Sequence, residues 1–152
     1  MTSQRRSRRR LLNLKKLGLC SHFYNIIIED SFIKTLHKYY HSETTSVCND
    51  IQNIFKRFDV IGKDYKKWLK TKNQIIAYSK SKRGYDLCKA YIPIFSRNQN
   101  ALHGARLFLA LDEESNPQKI HLVAIIPKSK IAKGSKGDMP IKERSKLFKD
   151  YQ

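Results

Sequence analysis

The sequence predicts an α+β domain in the order β-α-α-β-β-β-α, with an N-terminal strand and two or three helices packed on a small antiparallel sheet. Three observations carry this. Val47, Cys48, Ile51, Ile54, Phe55 and Phe58 recur at helical spacing and form the clearest amphipathic stripe in the chain. Residues 106–111 alternate instead: Leu107, Leu109 and Leu111 fall on one strand face, Arg106, Phe108 and Ala110 on the other. A turn-forming stretch, Asp112 to Pro117, then leads to a second β-branched run, Ile120 to Ile126, so the two runs pair as a hairpin.

The remaining elements follow in order. The run from His22 to Glu29 holds Phe23, Tyr24 and Ile26 to Ile28, a strand composition. Ser31 can cap a helix bearing Phe32, Ile33, Leu36, Tyr39 and Tyr40, and Thr45 or Ser46 starts the striped helix, which Gly62 ends. Tyr65, Trp68 and Leu69 suggest a third helix to about Lys72, whereas Ile75 to Tyr78 fits either state. Leu87 to Phe95 reads as a strand, and Pro93 places it at an edge or bulge. Residues 141–151 form a final helix or extended tail. The helices should cover one face of the sheet and leave the other for a ligand.

A chain of 152 residues, 40% apolar and 11% aromatic, is one domain with a real core. The division expected is a basic, flexible arm at 1–20 and a single α+β domain at 21–152. Lys and Arg number 31 against 13 Asp and Glu, a net charge of +18. That much charge on a small domain repels itself, so a polyanionic partner is expected: nucleic acid first, the ribosome included, and an anionic membrane surface second. Apolar runs such as Leu122 to Pro127 are too short to span a membrane. Cys20, Cys48 and Cys88 are too few and scattered for a disulfide framework or zinc ribbon, which fits a reducing cytoplasm. Lys15 and Lys16 interrupt any signal-peptide core, although residues 1–28 lack acids and carry several Arg and Ser, as a transit peptide would.

The hairpin carries the chemistry. Antiparallel pairing sets the end of its second strand beside the start of its first, so Arg106, Lys128 and Lys130 should converge at one end of the sheet. Lys133, Lys136 and Arg144 extend the basic stretch beyond it, and Arg97 precedes it. Such a cluster suits phosphodiester binding, and cleavage if a proton carrier is near: Tyr151, His103 or His121. The plainer alternative is a phosphate-binding patch without chemistry, which charge alone does not separate from an active site. His37 and His41 stand four apart on a helix, a spacing that can bind metal, but no third ligand is near them in sequence. Asp112 to Glu114 reads as a turn, Cys48 as core, and Trp68 with Tyr65 as helix packing.

Residues Arg106 to Asp112, the short turn, and Ile120 to Lys130, with the strand running into Ser31 to Leu36 upstream, resemble the RelE/ParE superfamily, the toxins of bacterial type II toxin–antitoxin modules. Phe95 to Asn98 before the hairpin is similar to the YafO-type subgroup. The resemblance covers roughly Phe23 to Tyr151 and leaves the arm outside. It implies a RelE-like fold and a cytoplasmic endoribonuclease that cuts mRNA in the ribosomal decoding site. There the ribose 2′-hydroxyl attacks the adjacent phosphate without metal or cofactor. It also implies a cognate antitoxin partner and assigns phosphate contacts to Arg106, Lys128 and Lys130 and proton transfer to Tyr151. Members that poison gyrase share the fold, so a ParE-type gyrase-directed toxin is an alternative, as is a non-catalytic RNA- or ribosome-binding protein.

Overall fold

The structure, a computed structural model, describes residues 17–22, 24–61, 75–112, 114–131 and 139–152. Among these, eight elements follow in order: β1 (Tyr24–Ile28), α1 (Asp30–Tyr40), α2 (Thr44–Ile61), β2 (Ile75–Lys80), β3 (Asp86–Ile92), β4 (Ala105–Asp112), β5 (Gln118–Pro127) and α3 (Ile141–Leu147). The fold is α+β, but its sheet is mixed and five-stranded, in the order β1-β5-β4-β3-β2. Two features depart from the expected small antiparallel sheet. The ambiguous run at Ile75 is a strand, so the antiparallel meander has four members. β1 pairs parallel to β5, from Tyr24↔Gln118 to Ile28↔Leu122. A short apolar run does not declare its state, and a parallel partner has no local signature because the pairing is made across nearly a hundred residues. β3 is interior, flanked by β2 and β4, and Pro93 lies just beyond its end instead of on an edge. The helix expected at Tyr65 to Lys72 lies outside the described residues. No helix among the described residues is long and apolar enough to cross a membrane.

α1 begins at Asp30, one residue before the expected cap. Its first turn is closed by the Glu29 carbonyl, which accepts from the Phe32 and Ile33 amides at 3.1 and 3.3 Å. Ser31 is therefore free to do something else. β1 stops at Ile28, so beyond Leu122 one edge of β5 has no strand beside it among the described residues, and unpaired backbone groups there would be costly to bury. Ser31 Oγ donates to the Val123 carbonyl at 2.5 Å, and Thr35 Oγ1 accepts from the Ile125 amide at 2.9 Å. Two hydroxyls one helical turn apart thus complete the strand.

The expected stripe of α2 is the centre of the first core. Val47, Cys48, Ile51, Ile54 and Phe55 are buried with Phe32, Leu36 and Tyr40 of α1 against Ile26, Ala90, Leu107, Leu109, Ile120 and Leu122 of the sheet. Leu19 is buried in the same core, and Gln52 clamps the chain beside it: its Oε1 accepts from the Cys20 amide at 2.9 Å and its Nε2 donates to the Cys20 carbonyl at 3.1 Å. The described part of the arm, Leu17 to Cys20, is docked on α2.

The second face is not left bare, contrary to expectation. β5 carries a bulge at Val123: Phe108 pairs with Ala124 and Leu109 with Leu122. The extra residue shifts the alternation, so Val123 and Ala124 both join Leu87, Phe108 and Ala110 on the face away from α1 and α2. Met139, Phe148 and Tyr151 of the C-terminal segment pack onto that apolar strip, with the Phe148 ring 6.2 Å from Phe108. The seven-residue α3 is too short to be stable alone, so this packing holds it. Phe148 is fully buried, and Phe148→Ala is expected to cost about 3–5 kcal/mol in urea denaturation. Faster amide exchange should appear first at 141–151; a loss under 1 kcal/mol would mean that Phe148 does not anchor the segment.

Candidate nucleic-acid interface

Beyond the C-terminal segment the second face is built from cations and tyrosines. Alternation in β3 sends Leu87, Lys89 and Tyr91 there, and the β3–β4 register sets Tyr91 beside Arg106 and Lys89 beside Phe108. The Arg106 guanidinium lies 4.0 Å from the Tyr91 ring centre; Lys89 Nζ is 5.5 Å from Tyr91 and 5.4 Å from Tyr78, and the Arg144 guanidinium is 4.1 Å from Tyr78. The result is a ladder, Arg144–Tyr78–Lys89–Tyr91–Arg106, in which each ring sits between two cations. A cation over an aromatic face is worth about 0.5–2 kcal/mol, more where water is excluded. Lys89 and Arg106 are only 8% and 6% exposed, so the ladder is pre-ordered.

Arg106 is committed further. One terminal nitrogen donates to the Ala101 carbonyl at 3.0 Å and the Ala105 carbonyl at 3.2 Å, and the other to the Leu102 carbonyl at 2.8 Å. It thereby holds the loop before β4 in place. Gly104 in that loop passes so close to β3 that an added Cβ would lie 2.2 Å from the Ile92 carbonyl. Lys128 and Lys130 occupy an exposed 3₁₀ turn directly after β5, and the Lys128 amide donates to the Gly104 carbonyl at 2.9 Å. The predicted convergence thus holds for the backbone: Arg106, Lys128 and Lys130 share one end of the sheet, with the exposed His103 in the adjoining loop. Arg97 is engaged elsewhere. Its Nε donates to Glu43 Oε2 and its terminal nitrogen to the Tyr39 carbonyl, both at 2.9 Å, while its guanidinium lies 4.6 Å from the Tyr40 ring centre. Burial pushes the Tyr40 phenol up to about 12 despite the neighbouring Arg97 charge. Lys133 and Lys136 lie outside the described residues.

Tyr151 and His121 meet at the other end. His121 pairs with Ala110 and Arg106 with Ile126, so the two sets stand four residues apart on β4, about 13 Å at roughly 3.3 Å per residue. His121 Nδ1 is 3.2 Å from Glu29 Oε1 and 3.5 Å from the Tyr151 hydroxyl, and the Tyr85 ring packs edge-on against both rings at 5.5 and 5.1 Å. With the Glu29 carboxylate facing Nδ1, the proton of a neutral imidazole sits on that nitrogen. Nε2 then carries the lone pair, and it is buried with no hydrogen-bond partner among the described residues. Burial, then the Glu29 carboxylate, push the Tyr151 phenol far above its ordinary value, so it stays protonated as a donor. Arg83 donates to the Asp150 carbonyl and pins the chain beside Tyr151.

A third feature borders the ladder. A cavity of about 540 Å³ opens between α2 and the segment after β3, walled by Asp50, Asn53, Tyr91, Phe95 and Asn100 with Lys56 and Arg57 at its rim. Asp50 is 5% exposed, and its Oδ2 accepts from the Phe95 amide at 3.3 Å. Burial pushes its carboxyl up, and the Phe95 amide pulls partly back.

The sequence singles out His121, Tyr151, Arg106, Lys128, Lys130 and Arg144, and it does not single out Glu29, Tyr78, Lys89, Tyr91 or Asp50, which the structure places beside them or in the adjoining cavity. The alternation of Leu87, Lys89 and Tyr91 was a usable signal: a cation and a tyrosine share one face of an interior strand.

Because the folded Asp50 carboxyl binds its proton more tightly than the ordinary 3.8, the unfolded chain ionises first, and stability falls as pH rises from there through the folded value. Asp50→Asn keeps an acceptor for the Phe95 amide and removes the charge. It should raise the Tm at pH 7 by about 2 °C, with the gain shrinking toward pH 3 in scanning calorimetry; a lower Tm at pH 7 would show that the charge stabilises the fold. Compared with known proteins, the chain matches no family model, no curated protein and no solved structure.

Proposed function

We propose that this chain acts on RNA as a toxin of the RelE/ParE type, an endoribonuclease that cleaves mRNA, on the ribosome, and thereby stops translation. The observation that supports this best is the cation–tyrosine ladder on the sheet face opposite α1 and α2, continued by exposed Lys128 and Lys130. The ladder keeps this face positively charged and ordered, which suits an RNA backbone whose phosphates meet the exposed lysines at its end. Arg106 serves by fixing the loop and Tyr91, and Lys128 and Lys130 contact phosphate.

Cleavage needs a base for the 2′-hydroxyl. In this reading Nε2 of His121 takes that proton, the 2′-oxygen attacks the adjacent phosphorus to close a 2′,3′-cyclic phosphate, the P–O5′ bond breaks, and the leaving 5′-oxygen takes the proton of the Tyr151 hydroxyl; Glu29 holds the imidazole in the required tautomer. Nε2 is buried, so catalysis requires a local opening that exposes it. An antitoxin would act on the same basic face. The enclosed Nε2 and the fully engaged Arg106 also favour a second reading, a non-catalytic RNA- or ribosome-binding protein.

Induction in a bacterial host, following growth, translation and mRNA ends together, separates the readings. The toxin reading expects rapid arrest with new mRNA ends. His121→Ala should lower cleavage about 10²–10⁴-fold while leaving RNA affinity within about twofold. Lys128→Ala with Lys130→Ala should weaken RNA binding and flatten its log–log salt slope by about 1.4. Arrest without new ends would move the target to gyrase or a blocked ribosome. No arrest, with salt-dependent RNA binding intact, would leave the binding protein.

A further inference from the structure

We infer that the cavity between α2 and the segment after β3 is a guanine-recognition pocket, in which the Asp50 carboxylate reads the base edge. The inference deepens the RNA reading, because it gives the interface a base preference, but it rests on different residues.

The argument begins with charge. In a chain of net charge +18, one carboxylate lines a cavity whose other charged neighbours, Lys56 and Arg57, are cations. Asp50 is almost wholly buried, and among the described residues its carboxylate accepts one long hydrogen bond, from the Phe95 amide at 3.3 Å. A carboxylate offers about four lone-pair sites. Asp50 lines the cavity, so its remaining acceptor capacity is open to a ligand there.

The ligand that fits such an acceptor is restricted. Guanine presents two adjacent donors on one edge, N1–H and the N2 amine. Adenine and cytosine set one amine beside a ring acceptor, and uracil flanks its single N–H with two carbonyls. Only guanine meets a carboxylate with paired donors and no opposing lone pair. The walls suit a flat heterocycle: Tyr91 and Phe95 are aromatic, and Phe95 is 63% exposed. Asn100 Oδ1 is already taken by the His103 amide at 3.0 Å, which leaves its amine as a donor for a base carbonyl or ring nitrogen. Lys56 and Arg57 at the rim can neutralise the attached phosphate. A volume near 540 Å³ lies within the range of small-molecule sites. Tyr91 belongs to both cavity and ladder, so a base in the pocket would leave its flanking phosphates near the end of the sheet that carries Lys128.

Guanine reaches such a pocket either within an RNA chain or as a free nucleotide, and the test distinguishes the two. Fluorescence anisotropy of the intact chain would use oligouridylates carrying one central guanosine, inosine or adenosine, with GMP, AMP, CMP and UMP titrated by calorimetry. The guanosine oligomer should bind about tenfold or more tightly than the inosine one, which lacks the N2 amine, because a hydrogen bond to a charged group is lost. Asp50→Asn should erase that preference while holding the all-uridine affinity within about twofold. Asn53→Ala, at an exposed position, should narrow it without touching the fold. GMP binding without any preference among oligomers would assign the pocket to a free nucleotide. GMP binding with no RNA binding at all would sustain the pocket and overturn the RNA reading. Equal, salt-dependent binding of every oligomer, unchanged in Asp50→Asn and with no GMP uptake, would overturn the pocket and leave the RNA reading standing.

Discussion

Past Leu122, β5 has β4 on one side and, among the described residues, no strand on the other; there the Ser31 and Thr35 hydroxyls supply partners. Much else follows from that arrangement. It fixes α1 along β5 with a definite roll, which turns Phe32, Leu36 and Tyr40 into the core and leaves the Glu29 carboxylate beside His121. The same stretch of β5 contains the bulge at Val123, where the alternation changes phase. Without that extra residue, Ile125 would fall on the wrong side of the sheet and the first core would lose a buried side chain. One strand, completed by a helix instead of a neighbour, sets the orientation of both layers.

Charge imposes the second constraint. A domain this basic has to keep its cations apart or give each something to rest on. The second face does the latter: Arg106, Lys89 and Arg144 are separated by tyrosine rings, which offer negative π faces without adding net charge. A carboxylate in the ladder would have neutralised the face; rings leave its positive potential available to a polyanion. The long alkyl stem of Lys89 can pack as an apolar side chain while its ammonium lies on the rings, which makes its burial tolerable in an interior strand.

The parts of this fold that were legible are those written in local period. The stripe of α2 and the alternation of β4 place their residues on the faces where the structure has them, down to Arg106, Phe108 and Ala110 opposite the leucines. What was not legible is long-range. The run at Ile75 becomes a strand because β3 offers an unpaired edge, and β1 meets its parallel partner β5 only after two helices and three strands have intervened. The C-terminal segment folds back because Phe148 and Tyr151 find the strip that the bulge exposes, a contact no short window contains. The site shows the same division. Antiparallel geometry was enough to bring Lys128 beside the start of β4. It could not reveal that the Arg106 guanidinium would be spent on loop carbonyls, or that Arg97 would latch onto Tyr40 and Glu43.

The C-terminal segment is where stability and function press against each other. Its helix has seven residues and no side-chain cap at its N-terminus, so it derives its order from Phe148, Tyr151 and the Arg83 contact to Asp150. Segments held by a few anchors open at lower free energy than the sheet beneath them. Tyr151 both fixes the segment and stands against His121, and Arg144 both belongs to α3 and closes one end of the ladder. Opening the segment would therefore part Tyr151 from His121 and detach a ladder cation in one motion. A polyanion that gathers the released lysines and arginines of residues 142–149 would offset part of the lost apolar packing. The closed arrangement sets Tyr151 against His121, and the apolar packing of Phe148 and Tyr151 on the sheet is what holds it closed.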